Sequence, residues 1–268
     1  MSSSRSEGWH GWDEYAAFYD WENQRTLGRR DVAFWVQVAD KIRGRVLELG
    51  CGTGRVALPL VRSGVRLVGV DRSAAMLARA AGKARRRAPS ARPRRVPLSL
   101  VRSDIRALPF RTGAFGAVLA PYGVLQSLVR DKDLTSVLAS VARVLSPQGL
   151  FGIDLVPDVP RWREYRGRMQ MRGPAGRGRH LTLFESVRHD RRRGLTIFEQ
   201  CYVERRGRSA VRHRFDLTFR TLPIESMRAR LEGAGFSIEA VLGDYRGGAW
   251  DQRADVWIIL ARKVGPPV

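Results

Sequence analysis

The short strand-like run Val46-Leu47-Glu48-Leu49 opens directly into Gly50-Cys51-Gly52-Thr53-Gly54, and helical periodicity resumes at Arg55 and Val56. A strand, a glycine-rich turn and a helix in that order commit a chain to few architectures. The glycines let the backbone reverse sharply and bring main-chain N–H groups close to a ligand at the carboxyl end of a sheet. Further short apolar runs recur at 67–70, 98–101, 117–120 and 150–155, with helical segments over 56–63, 73–87 and 133–145. Ser146-Pro147-Gln148-Gly149 supplies a turn after the last of these helices. This alternation predicts a doubly wound, mostly parallel sheet.

Upstream, residues 9–40 carry Tyr15, Phe18 and Tyr19, then Val32, Phe34, Trp35 and Val38, at helical spacing, which predicts two helices packed against the downstream strands and helices. Downstream, the period changes to two over 181–187, 195–203 and 211–221, with Arg191-Arg192-Arg193-Gly194 and Arg205-Arg206-Gly207 as turns, so three antiparallel strands are expected. A helix opened by Pro223, with Met227, Leu231 and Ala234 on one face, and strands at 237–242 and 256–261 close the chain.

At 268 residues and 44% hydrophobic, the chain is long enough to bury a full core as one folded unit. It has no apolar run of about 18 residues, and its first residues lead to Trp9 and Trp12 rather than an apolar signal core, so a soluble cytoplasmic protein is expected. The two cysteines, Cys51 and Cys201, offer neither a disulfide framework nor a zinc-type ligand pair, and no metal is expected.

The net charge of +22 and pI near 11.4 raise the question of nucleic acid or an acidic lipid surface. The excess is almost all arginine, with lysine only at 41, 83, 132 and 263, a skew that a GC-rich genome produces. The basic stretch from Lys83 to Arg95 has no aromatic residue on which a base could stack, so a phosphate-tracking role or a solvated loop is what it offers. Arginines at 161, 163, 166, 168, 172, 177 and 179 fall nearer the expected cleft and suit an acidic small molecule.

The glycine spacing separates the cofactor classes. A dinucleotide fingerprint reads Gly-x-Gly-x-x-Gly, whereas these glycines stand at 50, 52 and 54 with an acid at 48, and no Gly-Lys-Ser/Thr follows to make a phosphate loop. In this pattern, over residues 40 to 155, the chain resembles the class I methyltransferases that use S-adenosylmethionine, in particular their small-molecule, methyltransferase-domain-25 type. The resemblance implies a Rossmann-like α/β fold with a seven-stranded sheet, N-terminal lid helices over 1–40, a cofactor-binding core over 41–156 and 222–268, and an antiparallel, three-stranded substrate cover over 157–221.

It also implies roles. Asp71, ending Val68-Gly69-Val70-Asp71, matches the acid that holds the ribose hydroxyls, for which a carboxylate is a suitable double acceptor. Asp104 and Ile105 match the pair at the adenine, and Glu48 lies near the methionine amino group. Gly50, Cys51, Gly52 and Gly54 form the turn, with Cys51 a small filler, while Arg72, Met76, Pro121 and the lid residue Tyr19 complete the expected cofactor contacts. Read singly, Asp71 and Asp104 could each cap a helix or turn. Their occurrence after successive strands favours a shared ligand.

At the methyl-facing edge the chain has Ala120-Pro121-Tyr122 in place of the Asn/Asp-Pro-Pro-aromatic tetrad of adenine- and glutamine-modifying enzymes. The resemblance there is to small-molecule enzymes, with Tyr122 and a nearby Gln or His at the acceptor. The expected reaction is in-line transfer to an N or O atom of a small molecule. His180, with His189 and His213 as companions, and Asp154 at the end of the fifth strand are the candidates for removing a proton. An RNA-directed methyltransferase and a non-catalytic cofactor-binding protein are the alternatives, and the cover offers a route to a homodimer.

Overall fold

The computed structural model describes residues 11–26, 30–86, 98–156, 163–254 and 256–265. Arg29, the part of the basic stretch beyond Arg86 up to Arg95, and Arg161 lie outside these residues. Helices α1 (Trp12–Thr26) and α2 (Arg30–Asp40) precede β1 (Val46–Leu49), α3 (Ala57–Arg62), β2 (Leu67–Asp71), α4 (Ala74–Arg86), β3 (Ser99–Arg102), β4 (Phe115–Ala120), α5 (Asp131–Val144) and β5 (Leu145–Leu155). Four antiparallel strands follow: β6 (Tyr165–Pro174), β7 (Arg179–Asp190), β8 (Leu195–Arg206) and β9 (Ser209–Arg220). Helix α6 (Ile224–Gly233) leads back through β10 (Phe236–Leu242) and β11 (Trp257–Lys263) into the first sheet.

That sheet has seven strands in the order β10-β11-β5-β4-β1-β2-β3. β1 to β5 pair in parallel, and β11 runs against both of its neighbours. Alternate side chains of the central strands divide between two apolar layers. Leu47, Val118, Phe151 and Ile259 pack with α5 and α6, while Val46, Ala117, Leu150 and Ile258 pack with α2 and α3. Trp35 of α2 is fully buried, and it can lie flat on the sheet because Gly152 has no side chain: a Cβ there would come within 2.9 Å of the indole.

The second sheet is four-stranded, β6-β7-β8-β9, so the expected three-stranded cover gains β6 on its edge. The expected turn Ser146-Pro147-Gln148-Gly149 lies within β5 as a bulge. Leu145 pairs with Phe115 and Leu150 with Ala117, and Gln148 takes a left-handed φ of 59° to return the chain to register.

Helix α1 lies between the two sheets. Its apolar side, Tyr15, Phe18 and Trp21, packs with Leu183, Tyr202 and Phe215 of the second sheet, with the Phe18 and Tyr202 rings 4.5 Å apart. Two carboxylates seven residues apart, and so two turns apart on one face, fasten it to the first sheet. Asp13 accepts from Ser73 Oγ at 2.5 Å and from the Ala75 amide at 3.2 Å, while Asp20 accepts from Thr53 Oγ1 at 2.6 Å and Lys83 Nζ at 2.5 Å. Asp20→Ala is therefore expected to lift α1 without unfolding the sheet. Losing these bonds costs about 1–2 kcal/mol, which raises amide exchange across α1 roughly ten-fold while β1, β4 and β5 stay protected. Hydrogen-exchange mass spectrometry reads both regions, and equal loss of protection in the two would show that α1 is not a separately opening element.

Candidate active site

β1 and β4 are neighbours, and the chain leaves them toward opposite sides of the sheet, which makes their carboxyl ends the place where an open α/β sheet parts to form a crevice. The glycine turn leaves β1 there and Pro121-Tyr122-Gly123 leaves β4. Between them and the second sheet runs one cavity of about 1400 Å³.

Gly50, Gly52 and Gly54 all have left-handed φ values, of 59°, 52° and 80°. A Cβ on Gly50 would meet Val124 Cγ2 at 2.4 Å, so the Val124 side chain packs directly on the backbone of the turn. Gly50, Cys51 and Gly52 line the cavity. Gly54 does not line it and lies behind the turn, where its Cβ would press on Leu58 at 3.0 Å and on Ala80 at 3.4 Å; it keeps α3 against α4. Cys51 is buried with its Sγ under Gly69, and burial pushes its thiol well up, which suits a filler rather than a nucleophile.

The remaining residues expected at the cofactor meet in this end of the cavity: Glu48, Asp71, Arg72, Met76, Asp104 and Ile105, with Pro121 and Tyr19 beside them. Asp71 accepts from the amides of Gly52 and Ser73, both at 2.8 Å, so the acid ending β2 also pins the turn that ends β1. Burial raises its carboxyl in spite of those bonds. Asp104 is gripped by Arg106, which donates to both its oxygens at 2.7–3.1 Å and holds the carboxyl below its ordinary value. Glu48 is 3% exposed, and its Oε2 has no hydrogen-bond partner. Burial pushes its carboxyl up to about 8, with Arg55 opposing the shift and Asp31 and Asp71 adding to it.

Arg55 is the centre of the other wall. It donates to both oxygens of Asp31 at 2.6 and 2.7 Å, and Asp31 is fully buried. The guanidinium also lies 4.9 Å over the Tyr122 ring, and its charge opposes the burial that pushes the Tyr19 hydroxyl up to about 12. Tyr122 faces the cavity from a strained backbone, with φ 64° followed by Gly123 at 61°. A non-glycine residue in that region costs about 1–2 kcal/mol, so its neighbours must hold it.

Asp154 is one of those neighbours. It is 1% exposed and outside the cavity lining; it accepts from the Gly123 amide at 2.9 Å and the Tyr245 hydroxyl at 2.8 Å, and burial raises its carboxyl to about 6. The expected acceptor-side Gln126 is likewise engaged in tying the 3-10 turn Val124–Ser127 to the backbone at Val156 and Arg220.

The expected His180 is exposed near one end of β7, paired with Pro174 and Arg205, and does not line the cavity. His213 is not on the lining either and stacks 4.9 Å from Phe18. Of the three strand histidines His189 alone lines the cavity, its Nδ1 3.1 Å from Thr196 Oγ1. Strand parity distinguishes them: Leu181, Leu183 and Val187 face inward, so odd positions of β7, His189 included, look into the cavity and His180 looks away. The arginines at 163, 166, 168, 172, 177 and 179 are absent from the lining as well.

The same parity places Glu185 and Gln200 directly opposite each other on the inner face of the second sheet, a polar row between the apolar rows of Leu183–Tyr202 and Val187–Phe198. Gln200 Nε2 bridges Glu185 at 2.9 Å and Glu22 of α1 at 3.1 Å. Tyr15 and Tyr202 donate their hydroxyls to Glu22, and Tyr165 donates to Glu185 at 2.5 Å. Burial raises the Glu22 carboxyl, against the pull of these bonds.

The family model described as a methyltransferase domain matches residues 46–149. The chain is 26% identical over 231 residues to a Streptomyces enzyme, the cypemycin N-terminal methyltransferase, spanning 85% of this chain and 88% of that one. Its fold is that of an S-adenosylmethionine-dependent methyltransferase from Clostridium acetobutylicum, with TM-score 0.76 at 17% identity over 94% of this chain and 99% of the other. The sugar N-methyltransferase KedS8 from Streptoalloteichus superposes with TM-score 0.72 at 18% identity, over 92% and 93% of the two chains. Family model, relative and fold agree with the turn and the carboxylates beyond it on an S-adenosylmethionine-dependent methyltransferase domain, matched over residues 46–149.

Proposed function

We propose that this enzyme moves the methyl group of S-adenosylmethionine onto a nitrogen or oxygen of a small molecule lying under β7 to β9, by in-line displacement. One observation carries the reading: a single cavity has the glycine turn, Asp71 and Asp104 at one end, Glu185, His189 and Gln200 at the other, and Tyr122 on the same lining. Two of the similar proteins, named as a cypemycin N-terminal methyltransferase and a sugar N-methyltransferase, fit a small acceptor under such a cover.

The residues present fit the cofactor. Glu48 offers a buried, unpartnered carboxylate oxygen to an ammonium, and Asp71 keeps lone pairs for a ribose diol beyond its two amide bonds. Asp104, with Arg106 already on both oxygens, would orient an exocyclic amine, while Ile105 and Met76 would flank the ring. When bound, the cofactor supplies a methyl group already activated by its sulfonium. The protein is then left to align the acceptor, exclude water and take a proton where the acceptor must lose one. Burial holds the Tyr122 hydroxyl well above its ordinary value, so it is a neutral hydrogen-bonding group that positions rather than a base. His189 is the residue placed to accept a proton.

No helix among the described residues is long and apolar enough to cross a membrane. Incubating the full chain with methyl-labelled cofactor and a panel of amines and alcohols should label small molecules; label found only in added RNA would overturn the reading.

Asp71→Ala is expected to weaken cofactor binding at least ten-fold, about 1.4 kcal/mol; unchanged calorimetric affinity in a variant with a normal melting curve would remove the ribose role. Glu48 supplies a pH test. With a carboxyl near 8 in the cofactor-free protein it is mostly protonated at pH 7, and an arriving ammonium favours the carboxylate. Binding should therefore release a proton, and affinity should rise between pH 6 and 8 by up to roughly ten-fold per unit. Calorimetry at pH 7 in two buffers of different ionisation enthalpy measures the release, and Glu48→Gln should abolish it; identical heats for the parent enzyme would refute the assignment.

A further inference from the structure

The polar row across the second sheet has a charge problem that several other carboxylates of the molecule solve with arginine. Asp31 is paired with Arg55, Asp104 with Arg106, Asp133 with Arg106 and Arg130, Asp131 with Arg220 and Arg230, and Glu204 with Arg179 and Arg206. In a chain of net charge +22, cations are in excess. Yet among the described residues neither Glu22 nor Glu185 forms an ion pair; each is met only by neutral donors, Tyr15, Tyr202 and Gln200 on Glu22, and Tyr165 and Gln200 on Glu185. Arg25, one turn beyond Trp21, turns away to that indole, 4.6 Å off, and to the carbonyls of Trp21 and Pro174.

A second, independent group asks for the same thing. Asn23 is 5% exposed and lines the cavity beside Glu22. Its Nδ2 donates to the Tyr19 carbonyl at 2.9 Å, which fixes the amide's orientation, and its Oδ1 is buried without a partner. A buried acceptor left unmet costs about 1–3 kcal/mol. Two carboxylates and an orphan carbonyl on one cavity wall call for a ligand that brings positive charge and several N–H donors. They repel a carboxylate or phosphate set directly against them. Phe198 and Phe219, which also line the cavity, add aromatic surface favourable to a cation.

We infer that the acceptor is a small amine that enters this half of the cavity as its ammonium form, held by Glu22 and Glu185 with Asn23 Oδ1 as a further hydrogen-bond acceptor; before transfer the ammonium passes one proton to a glutamate carboxylate, which frees the nitrogen lone pair that receives the methyl group. The inference rests on the small-molecule methyl-transfer reading, and it assigns that reading a substrate class. It is separate from the ammonium of the cofactor, whose partner is Glu48.

The test uses the full chain saturated with S-adenosylhomocysteine and two pairs of probes, benzylamine against benzyl alcohol and glucosamine against glucose, at pH 7. Each amine should bind at least ten-fold more tightly than its alcohol. Glu22→Gln and Glu185→Gln, which keep the hydrogen-bonding shape and remove the charge, should each weaken the amine at least ten-fold and leave the alcohol and the S-adenosylhomocysteine affinity as they were. Asn23→Asp, which adds a charge instead of removing one, should tighten the amine, so the idea stays testable should either glutamate variant fold poorly. Amines that bind no better than their alcohols, no binding included, overturn the inference; so does a glutamate variant that weakens S-adenosylhomocysteine as much as the amine. Failure of the parent enzyme to bind S-adenosylhomocysteine at all would instead strike the methyl-transfer reading itself.

Discussion

The bidentate pair between Arg55 and Asp31 is the contact on which the geometry of the site depends. Asp31 is fully buried at the start of α2, and Arg55 sits where the glycine turn becomes helix, so the pair clamps the N-terminal helices to the turn. The guanidinium then serves three further groups: it stacks on Tyr122, offsets the burial of the Tyr19 hydroxyl and lowers the cost of a charged Glu48. Removing one member of a buried pair leaves an uncompensated charge at a cost of about 3–5 kcal/mol. Here that cost would fall on the lid, the turn and the methyl-facing wall together.

Around this clamp the two ends of the cavity are built differently. The cofactor end is made largely of backbone: left-handed glycines, amides pointing at Asp71 and the strained Tyr122-Gly123 step held by Asp154. The other end is made of side chains on a regular sheet, where each position can change without disturbing a turn. One fold can therefore keep its cofactor while its acceptor varies, because function is carried by the site grafted on the scaffold.

Much of this was legible in the sequence for a physical reason. Parallel strands buried on both faces read as unbroken apolar runs, and a turn that needs left-handed backbone must spell itself in glycine, so β1 to β5 and the Gly50–Gly54 turn stood out. β6 did not, because an exposed edge strand carries Arg166, Arg168 and Arg172 among its apolar residues and breaks register twice against β7. The pairing of Arg55 with Asp31 joins residues 24 apart in sequence, and no local pattern announces such a contact. His189 and Glu185 were within reach: both fall on the inward parity of β7, among Leu181, Leu183 and Val187, and a charged or titratable residue in an apolar register is itself a signal. The histidine at 180, on the opposite parity, drew notice by residue type alone.

Helix α1 carries residues of both ends of the cavity on one rigid rod: Tyr19 stands at the glycine turn, while Glu22 and Asn23 stand under the second sheet. Two of its fastenings, Asp13 to Ser73 and Asp20 to Thr53, are made to the segments just past β2 and β1, where the cofactor is proposed to bind. A ligand that steadies those segments steadies the rod and thereby pre-forms the far wall. Whatever free energy the first ligand contributes to the second must be returned in equal measure, so the two occupants of the cavity are thermodynamically linked through the helix in addition to their meeting at the methyl group.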